Sequence, residues 1–282
     1  MGNGNDDRSG NGPGPAERPV YGYDSPAVQE TYVSREAARV ARFLMPHLRP
    51  GMTLLDCGCG PGAITVGLAD AVAPGRVTGV DLEPGMIAKA KELAENRQVE
   101  NVEFRTADIT DLPFPDDSFD VVFTSAVLEH LAEPVQALGV IHSKLKPGGL
   151  VAAICTDWGD PLISPVNRAV GQFFELFERG FNHHGGSLNR GRHLRGMMRQ
   201  VGFDVIEFSA SFGNSSTPEI VRESVDSYIG WMDNLPLFVQ SIELGWTDRP
   251  TLDSIKEGMR QWANDPNAFL ALGRCEAIGR KA

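Results

Sequence analysis

The run LLDCGCGPG, residues 54–62, sets an aspartate two residues ahead of three glycines at alternate positions: Asp56, then Gly58, Gly60 and Gly62. Glycines allow a tight turn and keep side chains clear of the backbone, so a flat or extended ligand can lie against such a loop. Asp56 stands where it can hold a ligand's ammonium group. A second acid, Asp81, closes the stretch RVTGVD 19 residues after Gly62, and its carboxylate can accept both hydroxyls of a ribose. A third, Asp108, closes VEFRTAD. One acid at the end of an apolar run is commonly a helix cap. Three in succession, the first beside a glycine loop, point to a nucleoside ligand. The pattern is D-x-G-x-G-x-G and not the dinucleotide G-x-G-x-x-G. An acid in the loop disfavours a pyrophosphate and favours a cationic group.

The elements that must position these acids follow from the apolar pattern. TLLDCG, RVTGVDL, VEFRTAD, SFDVVFTSA and LVAAICT are short apolar strands, and AITVGLADAVA, EPGMIAKAKELAENR and EPVQALGVIHSKL between them have helical spacing. Strands alternating with helices mean parallel strands joined by crossover helices, covered on both faces. In such a sheet, ligands bind beyond the carboxyl ends of the strands, which brings the three acids to one crevice. Ahead of the first strand, SPAVQETYVSREAARVARFLMPHL reads as helix, with Val33, Ala37, Val40, Ala41 and Leu44 at helical spacing. Later, GFDVIEFSASF and AFLALGRCEAIGRK read as strands. The segments 157–190 and 235–267 break the alternation and carry Trp158, Phe173, Phe174, Phe177, Phe181, Trp246 and Trp262.

The motifs LLDCGCGPG, VTGVDLEP, VEFRTADITDLPFPDDSFDVVFTSAVLEHL and LKPGGLV, in this order and spacing, resemble those of the class I S-adenosylmethionine-dependent methyltransferases. Within that class they are similar to the small-molecule group that includes the quinone C-methyltransferases. The resemblance covers about residues 50–156 plus the final strand pair. It implies an α/β fold: a doubly wound, seven-stranded, mostly parallel sheet of Rossmann-like type, with an antiparallel last strand and a helical cap made of insertions. It implies S-adenosyl-L-methionine as cofactor. Asp56 and the loop Gly58, Cys59, Gly60 and Gly62 would hold the methionine part; Asp81 the ribose, with Leu82 against the adenine; Asp108 the adenine amino group, with Ile109 beside the ring. Ser125 would line the cofactor near the sulfonium, and Arg35 would pair with the methionine carboxylate. Some relatives bind a divalent metal through Glu-x-x-Glu-His after the fourth strand. Here the run is Ala126-Val127-Leu128-Glu129-His130; the first acid is missing and no metal is expected. His130 is expected to pack or cap.

The expected division is a disordered tail, 1–19, and one domain, 20–282. Within it, 20–50 form an N-terminal helical cap, 51–156 the cofactor core, 157–200 and 214–267 the substrate cap, and 201–213 with 268–282 the final strand pair. Residues 179–199 hold five arginines, three histidines and no acid, in a chain of net charge −11. One reading is a positive lid for an acidic or phosphorylated small substrate, with His183 or His184 as base. The other is a helix, NRGRHLRGMMRQVG, with Leu194, Met197, Met198 and Val201 turned inward. The acidic balance disfavours nucleic acid as partner. No run approaches the roughly 18 apolar residues of a membrane span, and the N-terminus lacks a secretory pattern. The four cysteines, Cys57, Cys59, Cys155 and Cys275, fit reduced structural thiols in a cytoplasmic protein, monomer or homodimer. The function expected is methyl transfer to a small-molecule O, N or C acceptor in quinone or specialised metabolism. The rivals are a non-methylating cyclase on the same cofactor and a nicotinamide-dependent oxidoreductase, which the glycine spacing disfavours.

Overall fold

The structure is a computed structural model that describes residues 37–282; Arg35, Val33 and the tail lie outside the described residues. The elements run α1 (Ala37–Val40), β1 (Leu54–Cys57), α2 (Ala63–Val72), β2 (Val77–Asp81), α3 (Pro84–Asn96), β3 (Val102–Thr106), β4 (Phe119–Ser125), α4 (Pro134–Lys144), β5 (Leu145–Ser164), α5 (Arg168–His183), α6 (Arg190–Gln200), β6 (Asp204–Ser215), α7 (Pro218–Asn234), α8 (Pro236–Glu243), α9 (Arg249–Ala263) and β7 (Phe269–Arg280). The seven strands form one sheet in the order β3-β2-β1-β4-β5-β7-β6. Strands β1 to β5 pair in parallel, while β7 is inserted antiparallel between β5 and β6. The doubly wound fold expected from the motifs is therefore the fold observed, with its order reversing between β1 and β4.

The short strands are apolar throughout because both faces are covered. Leu54, Val121 and Phe123 pack on Ala41, Leu44 and Leu68 on one side. Their neighbours Leu55, Cys57 and Val122 pack on Leu138, Ile141, Leu194 and Met198 on the other. This is the period-two alternation of a strand serving two layers.

Two elements depart from expectation. The fifth strand does not stop at Thr156: it continues to Ser164, with Leu162, Ile163 and Ser164 opposite Ala271, Leu270 and Phe269 across an irregularity after Asp157. The first helix, expected to run on through Leu48, ends at Val40 within the described residues, and a 3₁₀ turn, Met45–His47, follows it. On the prolonged strands rests a cap of α5, α7, α8 and α9 with its own core, centred on Phe173, Phe177, Tyr228, Phe238, Leu252 and Trp262. Phe173 stacks between Tyr228 at 5.0 Å and Phe238 at 5.9 Å. Among the described residues no helix is long and apolar enough to cross a membrane.

Candidate active site

The loop after β1 is bound to the neighbouring strand: the N–H groups of Gly58 and Cys59 donate to Val80 O at 2.8 and 2.9 Å. Its glycines are required for different reasons. Gly58, at φ +74°, has no room for a side chain unless Val127 moves, since a Cβ would meet Val127 Cγ2 at 2.2 Å. Gly60, at φ +53°, has nothing within 4 Å of where a Cβ would stand. That open space faces the cleft, where a ligand can reach the bare backbone. The loop delivers the chain into α2, whose first turn has no side-chain cap; Ala63 and Ile64 there line the cleft and their N–H groups are available to a ligand.

Asp56, Asp81 and Asp108 all line this cleft, together with Gly58, Cys59, Gly60, Leu82, Ile109 and Ser125. Asp56 is 2 % exposed and accepts from Thr65 Oγ1 at 2.6 Å. Burial pushes its carboxyl up to about 7; the Thr65 hydrogen bond opposes the rise and the charge of Asp81 adds to it. A buried acid near its midpoint at neutral pH is completed by a cation, which would draw off the proton. The Asp81 carboxylate is clamped at both oxygens: Gly60 N–H donates to Oδ2 at 2.9 Å and Glu83 N–H to Oδ1 at 3.0 Å. Burial raises its pKa as well, against these same hydrogen bonds. Asp108 receives the N–H and Oγ1 of Thr110, both on Oδ1, at 2.9 and 2.7 Å. Leu82 is 38 % exposed although apolar, and Ile109 is buried. Between them these side chains offer apolar contact to a flat ring. A buried acid, a bare backbone and a doubly anchored carboxylate fit the ammonium, chain and ribose of an adenosyl sulfonium compound.

A second and larger cavity, about 890 Å³, lies under the cap. It is lined by aromatic side chains of the cap and by Arg39, Arg42, Glu129, Thr156 and Arg274. Ala126 and His130 line both spaces. Ala126, just beyond β4, has φ +57°, a left-handed conformation that costs a non-glycine residue about 1 kcal/mol and is found where the surrounding structure enforces it. His130 ends the 3₁₀ turn Leu128–His130, its ring 5.1 Å from that of Phe181. The adjacent Glu129 is 2 % exposed and accepts from Thr156 N–H at 3.2 Å.

The two histidines expected to act as base lie elsewhere. His183 and His184 line neither space. The His184 ring hydrogen-bonds Gln240 Oε1 at 2.7 Å, and the His183 ring packs edge-on to Trp246 at 5.3 Å. Both tie the end of α5 to the region of α8, because α5 runs its apolar face along the cap core and ends on the far side of Phe181. The basic segment follows the inward-facing helix reading. Leu194, Met197 and Met198 are buried on α6, Arg192 grips Asp157 at 2.6 Å and Asp160 at 2.7 Å, and Arg195 lies over Phe208 at 4.4 Å. These charges are engaged within the fold. Sequence reasoning missed Arg39, Arg42 and the bridging place of His130; for His130 the signal was present, five residues after Ser125 at the same strand-end level as the three acids.

Comparison with known proteins bears on the family and the fold. A family model described as a methyltransferase domain matches residues 48–179. The chain is 33 % identical over 176 residues to a demethylmenaquinone methyltransferase of Lactiplantibacillus plantarum, covering 57 % of this chain and 74 % of that protein. It is 34 % identical over 175 residues to an uncharacterized methyltransferase of Schizosaccharomyces pombe; that match takes in 60 % of this chain but only 63 % of the relative's length. Solved structures share the fold. A putative methyltransferase from Bacillus halodurans superposes with a TM-score of 0.60 at 17 % identity, over 86 % of this chain and 99 % of that one. The [4+2]-cyclase SpnF does so at 0.54 and 21 % identity, over 88 % and 84 %. A glycine loop open at Gly60, three acids on one cleft and these matches lead to one conclusion: the chain belongs to the S-adenosylmethionine-dependent methyltransferase family.

Proposed function

We propose that the protein transfers a methyl group from S-adenosyl-L-methionine to a small molecule held in the cavity beneath the cap. The observation that carries this is the junction: the acid-lined cleft and the aromatic cavity share Ala126 and His130, so a methyl group at the end of the first space faces an acceptor in the second. The cofactor supplies an activated methyl on a sulfonium, and the protein supplies position and exclusion of water. Asp56, ionised, pairs with the ammonium of the methionine part. Gly58, Cys59 and Gly60 present backbone to the chain, while Gly62, where a Cβ would meet Ala90 and Phe104, shapes the turn from outside the cleft. Asp81, held rigid at both oxygens, accepts from the ribose; Leu82 and Ile109 sandwich the adenine, and Asp108 accepts from its amino group. Ser125 lies towards the sulfonium, and Arg35 is proposed for the methionine carboxylate. His130, at the mouth of the acceptor cavity, takes the proton that a hydroxyl or acidic carbon releases on methylation. Neither His183 nor His184 is given that role, since neither reaches the junction.

The acceptor belongs to quinone or specialised metabolism; the name of the L. plantarum relative supports this. A cytoplasmic location is supported by four free, buried cysteines. The test is calorimetric titration with S-adenosylhomocysteine on wild type and Asp81→Ala, followed by acceptor screening for S-adenosylhomocysteine release. Micromolar binding that is lost in Asp81→Ala is the expected result. No binding to wild type would sink the proposal, and turnover without S-adenosylhomocysteine release would point to a non-methylating reaction.

A further inference from the structure

The acceptor cavity has two chemically distinct sides. One is an aromatic wall of Trp158, Phe177, Phe181, Tyr228 and Trp231. Its rings are already in mutual contact: Phe177 stacks with Trp231 at 5.7 Å, and Trp158 meets Phe177 edge-on at 5.5 Å. Such a surface presents π faces and edges to whatever enters and favours a planar conjugated ring. Within that wall the indole N–H of Trp231 is buried and has no hydrogen-bond partner among the described residues. A buried donor left unmade is costly, and an oxygen on a ligand would satisfy it.

The other side is charged. Arg39, Arg42 and Arg274 line the cavity with Glu129 and Glu276. The two carboxylates are engaged: Glu129 by the Thr156 N–H, and Glu276 by the hydroxyls of Ser209 and Ser211 at 3.0 and 2.9 Å. Arg274 also has a partner. Arg39, in α1, and Arg42, two residues beyond its end, form no ion pair with any described residue, in a chain of net charge −11. Two exposed arginines lining one cavity, in an otherwise acidic protein, are a site for a carboxylate or similar anion.

Building on the methyl-transfer reading, we infer that the acceptor is a planar aromatic acid. Its ring lies on the Trp158–Phe177–Trp231 wall, an oxygen accepts from Trp231 Nε1, and its anionic group is held by Arg39 and Arg42. Methylation then falls on a hydroxyl or acidic carbon turned towards His130. The proton leaves to the imidazole, the new bond forms to the methyl carbon, and the thioether departs with the electron pair of the broken C–S bond.

The experiment is isothermal titration of the full chain, saturated with S-adenosylhomocysteine, with three probes: 1-hydroxy-2-naphthoate, uncharged 1-naphthol and aliphatic decanoate. Wild type is expected to bind the hydroxynaphthoate about tenfold more tightly than either other probe, the scale of one charge-assisted contact at a solvent-edged site. R39Q/R42Q should lose that preference, and W231F should weaken the hydroxynaphthoate several-fold without restoring naphthol. S-adenosylhomocysteine is titrated into each variant and must bind as in wild type, which shows that the variants fold. Equal or tighter binding of naphthol or decanoate, no binding of the hydroxynaphthoate, or a preference that survives R39Q/R42Q would overturn the inference. Failure of S-adenosylhomocysteine itself to bind wild type is a different result, one that removes the methyltransferase reading instead.

Discussion

Replacing Asp56 by asparagine removes one ionisation and leaves the shape of the site. The carboxyl rises from an ordinary value of 3.8 to about 7 on folding, chiefly through burial. With the folded value above the unfolded one, the native state binds more protons than the unfolded chain between about pH 4 and pH 7. Stability therefore falls as pH rises through that window. The full loss is about 4 kcal/mol at 1.36 kcal/mol per unit, and about 3 kcal/mol of it falls between pH 5 and pH 8. The amide of Asp56→Asn cannot ionise, yet its carbonyl can still accept from Thr65 Oγ1, so the variant escapes the loss. The assay is urea unfolding of both ligand-free proteins at pH 5 and pH 8. The stability of Asp56→Asn relative to wild type should grow by about 3 kcal/mol between the two, or roughly 6–12 °C in Tm. Comparing the two proteins at each pH cancels the titrating groups that do not interact with Asp56, leaving Asp81 as the coupled neighbour. The same proteins should diverge the other way in binding. Wild-type affinity for S-adenosylmethionine should fall up to about tenfold per pH unit below pH 7, as the proton competes with the ammonium. The variant should bind weakly at every pH. An Asp56→Asn effect on stability that is the same at pH 5 and pH 8 would refute this reasoning.

Other outcomes follow from single contacts. Gly60→Ala should lose tenfold or more of S-adenosylhomocysteine affinity for about 1 kcal/mol of stability, because the methyl enters the cleft and not the core. Gly58→Ala should cost about 1–3 kcal/mol, since Val127 must move; chemical denaturation with calorimetry separates the pair. His130→Gln should lower kcat by about 10²–10⁴ with S-adenosylhomocysteine affinity unchanged; equal kcat in stopped-time assays would remove His130 from the proton path. Phe173→Ala, at a fully buried ring in the cap, should cost about 3–5 kcal/mol by thermal unfolding.

The sheet was readable because its signals are local. Apolar runs such as Leu54–Cys57 and Val77–Asp81 must be covered on both faces, and glycine or proline punctuates them. The cleft was readable for the same reason: three acids at strand ends share one edge once the strands are parallel. What resisted was pairing across long stretches of chain. Asp157–Ser164, with glycine, aspartate and proline, has no strand pattern of its own. It is strand because Phe269–Ala271 lies beside it. The sequence leaves the arginines of 179–199 open between a lid and a helix with an inward apolar face, because their partners are distant; the Asp157 that neutralises Arg192 is 35 residues away and comes close only when α6 folds over β5. His183 and His184 are an adjacent pair in the sequence, but nothing in the composition of a loop tells which side of Phe181 it falls on.

The registry of β7 has one more consequence. Ser215, where β6 ends, stands opposite Leu270 near the start of β7, and Ser164, where β5 ends, stands opposite Phe269. Helices α7, α8 and α9 thus leave the sheet and return to it between residues that are cross-strand neighbours, about 5 Å apart. A stretch whose two ends already touch can be lengthened, shortened or exchanged without shifting the register of the strands it joins. Helices α7 to α9, which carry Tyr228 and Trp231 of the cavity wall, can therefore be exchanged while Asp56, Asp81 and Asp108, on strands β1 to β3 and the loop beyond, keep their places. Transplanting residues 216–268 from a relative would replace one wall of the larger cavity and leave the acid-lined cleft untouched.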